Sequence, residues 1–349
     1  MVSVVGARPQ FIKLAPVDDA FLKAGLDHVI VHTGQHYDDD MSARFFRELE
    51  LPFPHLNLGV QGGGHAIPTA RMLERLARVL DEIHPAAVVV YGDTTSTLAG
   101  ALAGAQCGVP VAHVEAGLRS FEKTQPEERN RVVADHLSTW LFAPTPGAAD
   151  NLKREGLRSG VHRVGDPMHD ALCRFWPRAR QRPLAIDSAD FVFVTVHRAE
   201  NTDDPERLRK LSRLLQSIPR PIVLPLHPRT REALRRERLL TAWSRMKHLT
   251  LLEPLGYLDT LRHISQAFAV LTDSGGVQRE AAWLGTPCLT LRSVTEWKDT
   301  VKSGANQLVD LSPDRVRKAL RSARRRRASV SRGAGASQRV ARVLKTALA

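Results

Sequence analysis

The chain has 349 residues, 43% of them hydrophobic and 25% charged, with a formal net charge of +13. The length suggests two domains with real cores. No apolar run approaches a bilayer span, and the start at Met1-Val2-Ser3-Val4-Val5 shows no leader pattern, so neither a membrane span nor a signal peptide is expected. Cys107, Cys173 and Cys288 are too scattered for a disulfide framework or a zinc site, and they fit a cytoplasmic protein without metal. The positive charge is local. Residues 313–349 carry twelve Lys and Arg and one acid, Asp314, a net +11 that leaves +2 for the rest. Without interleaved aromatics or a nucleic-acid motif, that segment reads as a solvated helix face, and no specific nucleic-acid partner is expected.

Strand and helix patterns alternate along the chain, which predicts parallel sheets covered on both faces. Strands fit 2–5, 28–32, 86–91, 109–114, 140–143 and 161–164, with helices at 10–24, 38–49, 67–83, 95–106, 127–138 and 147–155. The segment from Trp176 to Asp190, with its charges and prolines, reads as a linker. A second set of strands fits 191–196, 221–224, 249–252, 268–271 and 287–291, with helices at 205–217, 229–240, 258–266 and 276–284. A last helix at 337–349 would be capped by Ser337.

Several strands end in residues that carry chemistry, and carboxyl ends of parallel strands are where open α/β sheets bind ligands. Val88–Gly92 runs into Asp93, and Val109–Val114 into Glu115. Gln125-Pro126-Glu127-Glu128 opens a helix with paired acids, as suits the dipole. Phe191–Val196 leads to His197 and Arg198, the following strand to His227, and strand 28–32 to Gln35 and His36. Thr272-Asp273-Ser274-Gly275-Gly276 follows a strand and opens a helix, so Ser274 and the glycines either hold a phosphate or simply cap it; Glu280, one turn on, can accept from a sugar hydroxyl. Gly6-Ala7-Arg8-Pro9 is a similar strand-to-helix turn, and Arg8 and Lys13 would supply donors to a diphosphate. No G-x-G-x-x-G follows a strand, so no nicotinamide cofactor is expected, nor any other.

Together these segments resemble the non-hydrolysing UDP-N-acetylglucosamine 2-epimerase family. The resemblance runs through GARPQFIKLAP, HTGQHYDDDM, VYGDTTSTLAG, AHVEAGLRSF, PEERNR, VGDPMHDAL, HRAENTDD, LPLHPRTR, LTDSGGVQREA and a final GAGAS. It implies an α/β fold of two Rossmann-like, doubly wound domains facing a cleft, of GT-B type. The expected division is an N-terminal domain at 1–167 with the catalytic acids, a UDP-binding domain at 168–332, and a helix at 333–349 packing back on the first domain. By resemblance, Asp93, Glu115 and Glu127 match catalytic carboxylates, and His197 a diphosphate-side histidine. Arg8, Lys13, Ser274, Gly275, Gly276 and Glu280 match nucleotide-binding positions. Gln35, His36, Arg198 and His227 match a second sugar-nucleotide site used by an activator in bacterial members. Family members are commonly homodimers.

The chain departs from the family's usual residues at Thr260, Arg279, Trp297 and Asp299, all on the expected nucleotide side. GARPQFIK, Thr295-Glu296-Trp297 and HRAENTDDP are similar to the branch acting on UDP-2,3-diacetamido-2,3-dideoxyglucuronate. The chemistry implied is loss of UDP to give a 2-acetamidoglucal, followed by re-addition with a proton on the opposite face of C2. A C2–H beside an amide nitrogen is not acidic until the ring gains oxocarbenium character, so a base alone fails. Donors must stabilise the leaving diphosphate, and acids must handle the proton. The rival enzyme reading is a glycosyltransferase of the same architecture.

Overall fold

In the computed structural model the chain divides into two compact units, Met1–Arg174 with Arg332–Ala349, and Phe175–Ser331. The structure describes residues 1–35, 39–62, 64–186, 190–328 and 335–349. The first unit runs β1 (Val2–Val5), α1 (Arg8–Ala24), β2 (Val29–His32), α2 (Asp39–Glu48), β3 (Leu56–Asn57), α3 (Ala66–Ile83) and β4 (Val88–Tyr91). It continues with α4 (Thr95–Gln106), β5 (Val111–Val114), α5 (Pro126–Leu137), β6 (Trp140–Ala143), α6 (Pro146–Arg154), β7 (Val161–Arg163) and α7 (Pro167–Ala179), within which the division falls. The strands form one parallel sheet in the order β3-β2-β1-β4-β5-β6-β7. The order reverses between β1 and β4, which makes the ends of those two strands the switch point where a ligand site is expected.

Valines fill the centre of this sheet: Val2, Val4, Val31, Val88, Val90 and Val111 pack with Met72, Leu76 and Leu80 of α3 and the alanines of α4. The small residues of α4 let it approach the sheet closely. A Cβ on Gly100 would lie 2.8 Å from Val90 Cγ1, and one on Gly104 2.6 Å from Val111 Cγ2. Close approach explains why this helix is built of Ala, Gly and Thr rather than of larger residues.

The second unit runs β8 (Val192–Thr195), α8 (Ala199–Thr202), α9 (Pro205–Ser217), β9 (Ile222–Pro225), α10 (Pro228–Arg236), α11 (Leu240–Ser244), β10 (Leu249–Leu252) and α12 (Tyr257–Gln266). Then come β11 (Ala269–Thr272), α13 (Gly275–Leu284), β12 (Cys288–Thr290), α14 (Lys298–Lys302), β13 (Asn306–Leu308) and α15 (Pro313–Ser322). Its sheet is also parallel, in the order β10-β9-β8-β11-β12-β13, with the switch point between β8 and β11. The last helix, α16 (Ala336–Leu348), belongs to the first unit, where it packs on α1 and buries Val340, Ala341 and Leu344.

Three differences from the sequence reading have physical causes. Helix α7 extends to Ala179, because the buried stripe Ala171, Leu172, Phe175 and Ala179 carries it past Pro177, so the linker begins after Ala179 rather than at Trp176. The helix expected over 229–240 is two, since Arg238 turns into the left-handed region at φ 55°. Ser337 lies in the first turn of α16 rather than at its cap. The N-cap is Gly335, and Asp170 of α7 satisfies the helix entry from outside, its carboxylate accepting from Gly335 N at 2.9 Å and from Ser337 N at 2.8 Å. The arginine-rich stretch presents a solvated helix face, as its charge pattern predicts: α15 buries only Val316, Ala319 and Leu320 and leaves its cations in solvent.

Candidate active site

The first unit brings Asp93, Glu115 and Lys13 to the carboxyl edge of its sheet. Strand β5 ends in Glu115, whose φ of 78° places a non-glycine residue in left-handed backbone. The turn is held by Phe142 of β6, whose carbonyl accepts from both Glu115 N and Ala116 N at 3.1 Å. Gly117 follows at φ 81°, where a Cβ would lie 2.3 Å from the Ala148 carbonyl oxygen, so no other residue fits. Left-handed backbone at a non-glycine residue costs about 1–2 kcal/mol and is characteristic of functional sites.

That turn sends the Glu115 carboxylate into the protein, 8% exposed, with Oε2 3.1 Å from Lys13 Nζ. The lysine is itself buried. Burial pushes the Glu115 carboxyl up to about 7, with Asp166 and Asp93 adding to the rise and Lys13 opposing it. Burial would discharge Lys13, but Glu115, Asp93 and Asp166 together keep it above the usual lysine value. Glu115 is thus poised to hold or release a proton near neutrality.

Asp93 follows Gly92 at the end of β4 and is half-buried. The motif read as an ordinary helix start proves to be its scaffold. Arg131 Nη2 pairs with Asp93 Oδ2, and Asn130 Nδ2 donates to the Asp93 carbonyl at 2.9 Å. Arg131 Nη1 also meets Glu128 at 3.0 Å, and Glu128 accepts from Ser120 N at 2.9 Å and Phe121 N at 2.8 Å. Glu128 therefore organises the loop. Glu127 is half-buried one turn before Arg131, on the helix face that the Asp93 contact defines.

Other expected residues of this unit are occupied locally. Gln10 Oε1 accepts from Gly6 N at 2.8 Å and Ala7 N at 3.0 Å, so the backbone donors of the α1 entry are satisfied within the chain. Arg8 lies over the Phe45 ring at 5.2 Å. Gln35 Oε1 accepts from Ser96 N at 3.0 Å and Ser96 Oγ at 2.7 Å, tying the β2 exit to the start of α4. His36 lies outside the described residues.

In the second unit, the switch point between β8 and β11 carries His197, Arg198 and the α13 entry. Asp273 organises all three. Wholly buried, it accepts from His197 N at 3.1 Å, Arg198 N at 3.0 Å and Asn201 Nδ2 at 3.0 Å. The His197 ring lies 5.2 Å from the His227 ring, so two residues expected in different subsites share one surface here. Ser274 caps α13, accepting from Val277 N at 3.5 Å. Gly275 is required by its neighbours, since a Cβ would sit 2.3 Å from Glu296 Oε1 and 3.2 Å from Trp297 Nε1. Gly276 is half-exposed beside it, and Glu280 is buried one turn further in.

The departures Arg279, Trp297 and Asp299 form one packed unit. The Arg279 guanidinium lies 4.5 Å and 4.4 Å from the ring centroids of Trp283 and Trp297, and Nη1 donates to Asp299 at 2.7 Å. Arg292, fully buried, meets Glu296 at 3.0 Å, and Arg198 approaches the same carboxylate at 3.9 Å. Among the described residues, no group of three or more His, Cys, Asp or Glu side chains could hold a metal ion, and no helix is long and apolar enough to cross a membrane.

The family model for UDP-N-acetylglucosamine 2-epimerase matches residues 21–345. The chain belongs to the UDP-N-acetylglucosamine 2-epimerase family. It is 45% identical over 322 residues to a UDP-N-acetylglucosamine 2-epimerase homolog of Methanococcus maripaludis, covering 90% of each chain. It is equally, 45%, identical over 324 residues to the UDP-2,3-diacetamido-2,3-dideoxy-D-glucuronate 2-epimerase of Pseudomonas aeruginosa, again covering 90% of each. The crystal structure of Methanocaldococcus jannaschii UDP-GlcNAc 2-epimerase, in complex with UDP-GlcNAc and UDP, superposes with a TM-score of 0.92 at 38% identity, over 99% of this chain and 98% of that one. The protein is an isomerase with the two α/β domains of GT-B type.

Three structurally central residues are given no role by the sequence alone. Asp273 is a strand-end acid like Asp93, and that signal was available. Arg131 sits four residues after Glu127, at the spacing that lets one helix face serve two partners. Asp166 follows β7 and bears electrostatically on Lys13 and Glu115, but nothing local in the sequence distinguishes it from a helix cap.

Proposed function

We propose that this protein interconverts UDP-N-acetylglucosamine and UDP-N-acetylmannosamine without hydrolysis, by anti- or syn-elimination of UDP to a 2-acetamidoglucal and re-addition. The buried Lys13–Glu115 pair carries the reading, because a carboxyl raised to about 7 can both take and return a proton at neutral pH. Asp93 and Glu127 complete the acid–base set, with Asp93 held in place by its ion pair with Arg131. Lys13, buried against Glu115, serves the proton chemistry rather than the diphosphate. His197, Arg198 and the first turn of α13 with Ser274, Gly275 and Gly276 supply donors to the leaving diphosphate, and Glu280 takes a sugar hydroxyl. Arg8 adds positive charge, and the activator role is assigned to His36 and His227 by family likeness alone. The enzyme works as a homodimer in the cytoplasm.

The same chemistry on UDP-2,3-diacetamido-2,3-dideoxyglucuronate is the second reading, favoured by the Pseudomonas relative at 45% identity. Incubation with each substrate in deuterated water tests both. Deuterium at C2 with the UDP linkage retained in the product is the expected result. Free sugar, or no exchange with either substrate, refutes the proposal, and the faster substrate identifies the branch. A glycosyltransferase would transfer sugar without labelling C2.

A further inference from the structure

Behind the strand-end acids lies buried charge that the elimination does not itself use. His113, in β5, is fully buried. Its Nδ1 is 2.7 Å from Asp135 Oδ1 and its Nε2 2.7 Å from the carbonyl oxygen of Gly92. Asp135 is surrounded by donors: Gly117 N donates to Oδ2 at 3.0 Å, and Arg119 Nη1 lies 2.7 Å from the same oxygen. Burial pushes the Asp135 carboxyl up, but His113 and Arg119 more than offset this and hold it below the usual carboxylate value. Arg119 continues the chain to Glu155 through Nε at 2.8 Å and Nη2 at 2.7 Å. A carbonyl oxygen only accepts, and so does a carboxylate. With an acceptor facing each ring nitrogen, His113 bridges Asp135 and the Gly92 carbonyl.

Both of its bonds end on groups that shape the site. Gly92 immediately precedes Asp93, at φ 65°, and its N–H donates to the Val114 carbonyl at 2.9 Å. His113 grips the other side of the same peptide pair through the Gly92 carbonyl. A Cβ on Gly92 would lie 3.3 Å from both Glu115 Oε1 and Lys13 Nζ, so this turn is in contact with the acid–base pair. Asp135 meanwhile fixes Gly117, two residues beyond the left-handed Glu115.

We propose that His113 is a positioning residue, a buried ring that pins the Gly92 carbonyl and thereby sets Asp93 against the Lys13–Glu115 pair. The inference rests on the assignment of those acids to the epimerisation proposed above.

Two substitutions separate the two bonds. In His113→Asn the amide nitrogen takes the place of Nδ1 and keeps Asp135, whereas in His113→Gln it reaches the place of Nε2 and keeps Gly92. The Asn variant is expected to bind UDP within about twofold of the parent, by calorimetry, while kcat falls about tenfold or more with KM little changed. The Gln variant recovers most of that loss. Parental turnover in the Asn variant, or a Gln variant no better than Asn, overturns the proposal. If the variants do not fold, the parent decides: an exchange-protected ring N–H of His113, assigned by its cross-peaks to Gly92 and Asp135, is expected, and a freely exchanging ring overturns the clamp. Should the parent exchange no hydrogen at C2, the proposed reaction falls, and the ring N–H still decides the clamp.

Discussion

Replacing Lys13 with methionine keeps the length of the side chain and removes its charge. Unit charges 3.1 Å apart attract by about 5 kcal/mol at an effective dielectric of about 20. At about 1.4 kcal/mol per pH unit, that bounds the upward displacement of Glu115 at three to four units. Water entering the vacated space reduces it, so a rise of about 1.5 units is expected. The sign follows from the base role: Glu115 must be ionised to take the C2 proton, and it stands at about 7 with Lys13 present. A rise of about 1.5 units cuts the ionised fraction at pH 7 from about one half to about 3%, a loss of about 15-fold. The loss is recovered as pH rises, so the acid limb of the rate profile moves alkaline. Rates of C2 deuterium incorporation against pH measure it, with UDP affinity determined in parallel to separate binding from proton transfer. An acid limb coincident with the parent's would refute the coupling of Lys13 to Glu115.

Three more outcomes follow from named contacts. Gly275→Ala drives a methyl to 2.3 Å from Glu296 Oε1, so α13 must shift, and UDP affinity by calorimetry should fall by about tenfold or more; unchanged affinity would remove the α13 entry from the nucleotide site. Arg279→Met keeps packing between Trp283 and Trp297 but loses both cation–π contacts, which should lower stability in urea by about 1–2 kcal/mol. Asp135→Asn leaves His113 and Arg119 buried against a neutral group, at a cost of about 3–5 kcal/mol at pH 7. Because the folded Asp135 carboxyl lies below its usual 3.8, its stabilisation is complete above that value and is lost as pH falls through the lower folded value. The parent should therefore lose stability faster than the variant below about pH 4, and equal acid sensitivity would contradict the assignment.

The alternation of strand and helix was legible because valine-rich runs such as Val88–Tyr91 are apolar throughout, as strands buried on both faces must be. Short elements were not. Leu56–Asn57 and Asn306–Leu308 join their sheets through backbone pairing that leaves little trace in side-chain pattern. At the site, strand-end acids could be found by position alone. Their partners could not: Lys13 looks like an exposed helix residue beside Arg8 until the fold places it under Gly92, facing Glu115. Gln10 and Gln35 likewise look free to meet a ligand, yet Gln10 is spent on the entry of its own helix and Gln35 on that of α4.

The left-handed backbone at Glu115 has an evolutionary corollary. Glycine would sit there without strain, relieving about 1–2 kcal/mol and removing a buried carboxyl that opposes its own ionisation. Glycine alone would strand the buried Lys13, so selection for stability favours replacing Lys13 and Glu115 together, and only a demand for the carboxylate keeps the strained glutamate with its lysine. A duplicated copy freed from that demand would lose the two as a pair, so their joint presence serves as a marker that separates working copies from relics.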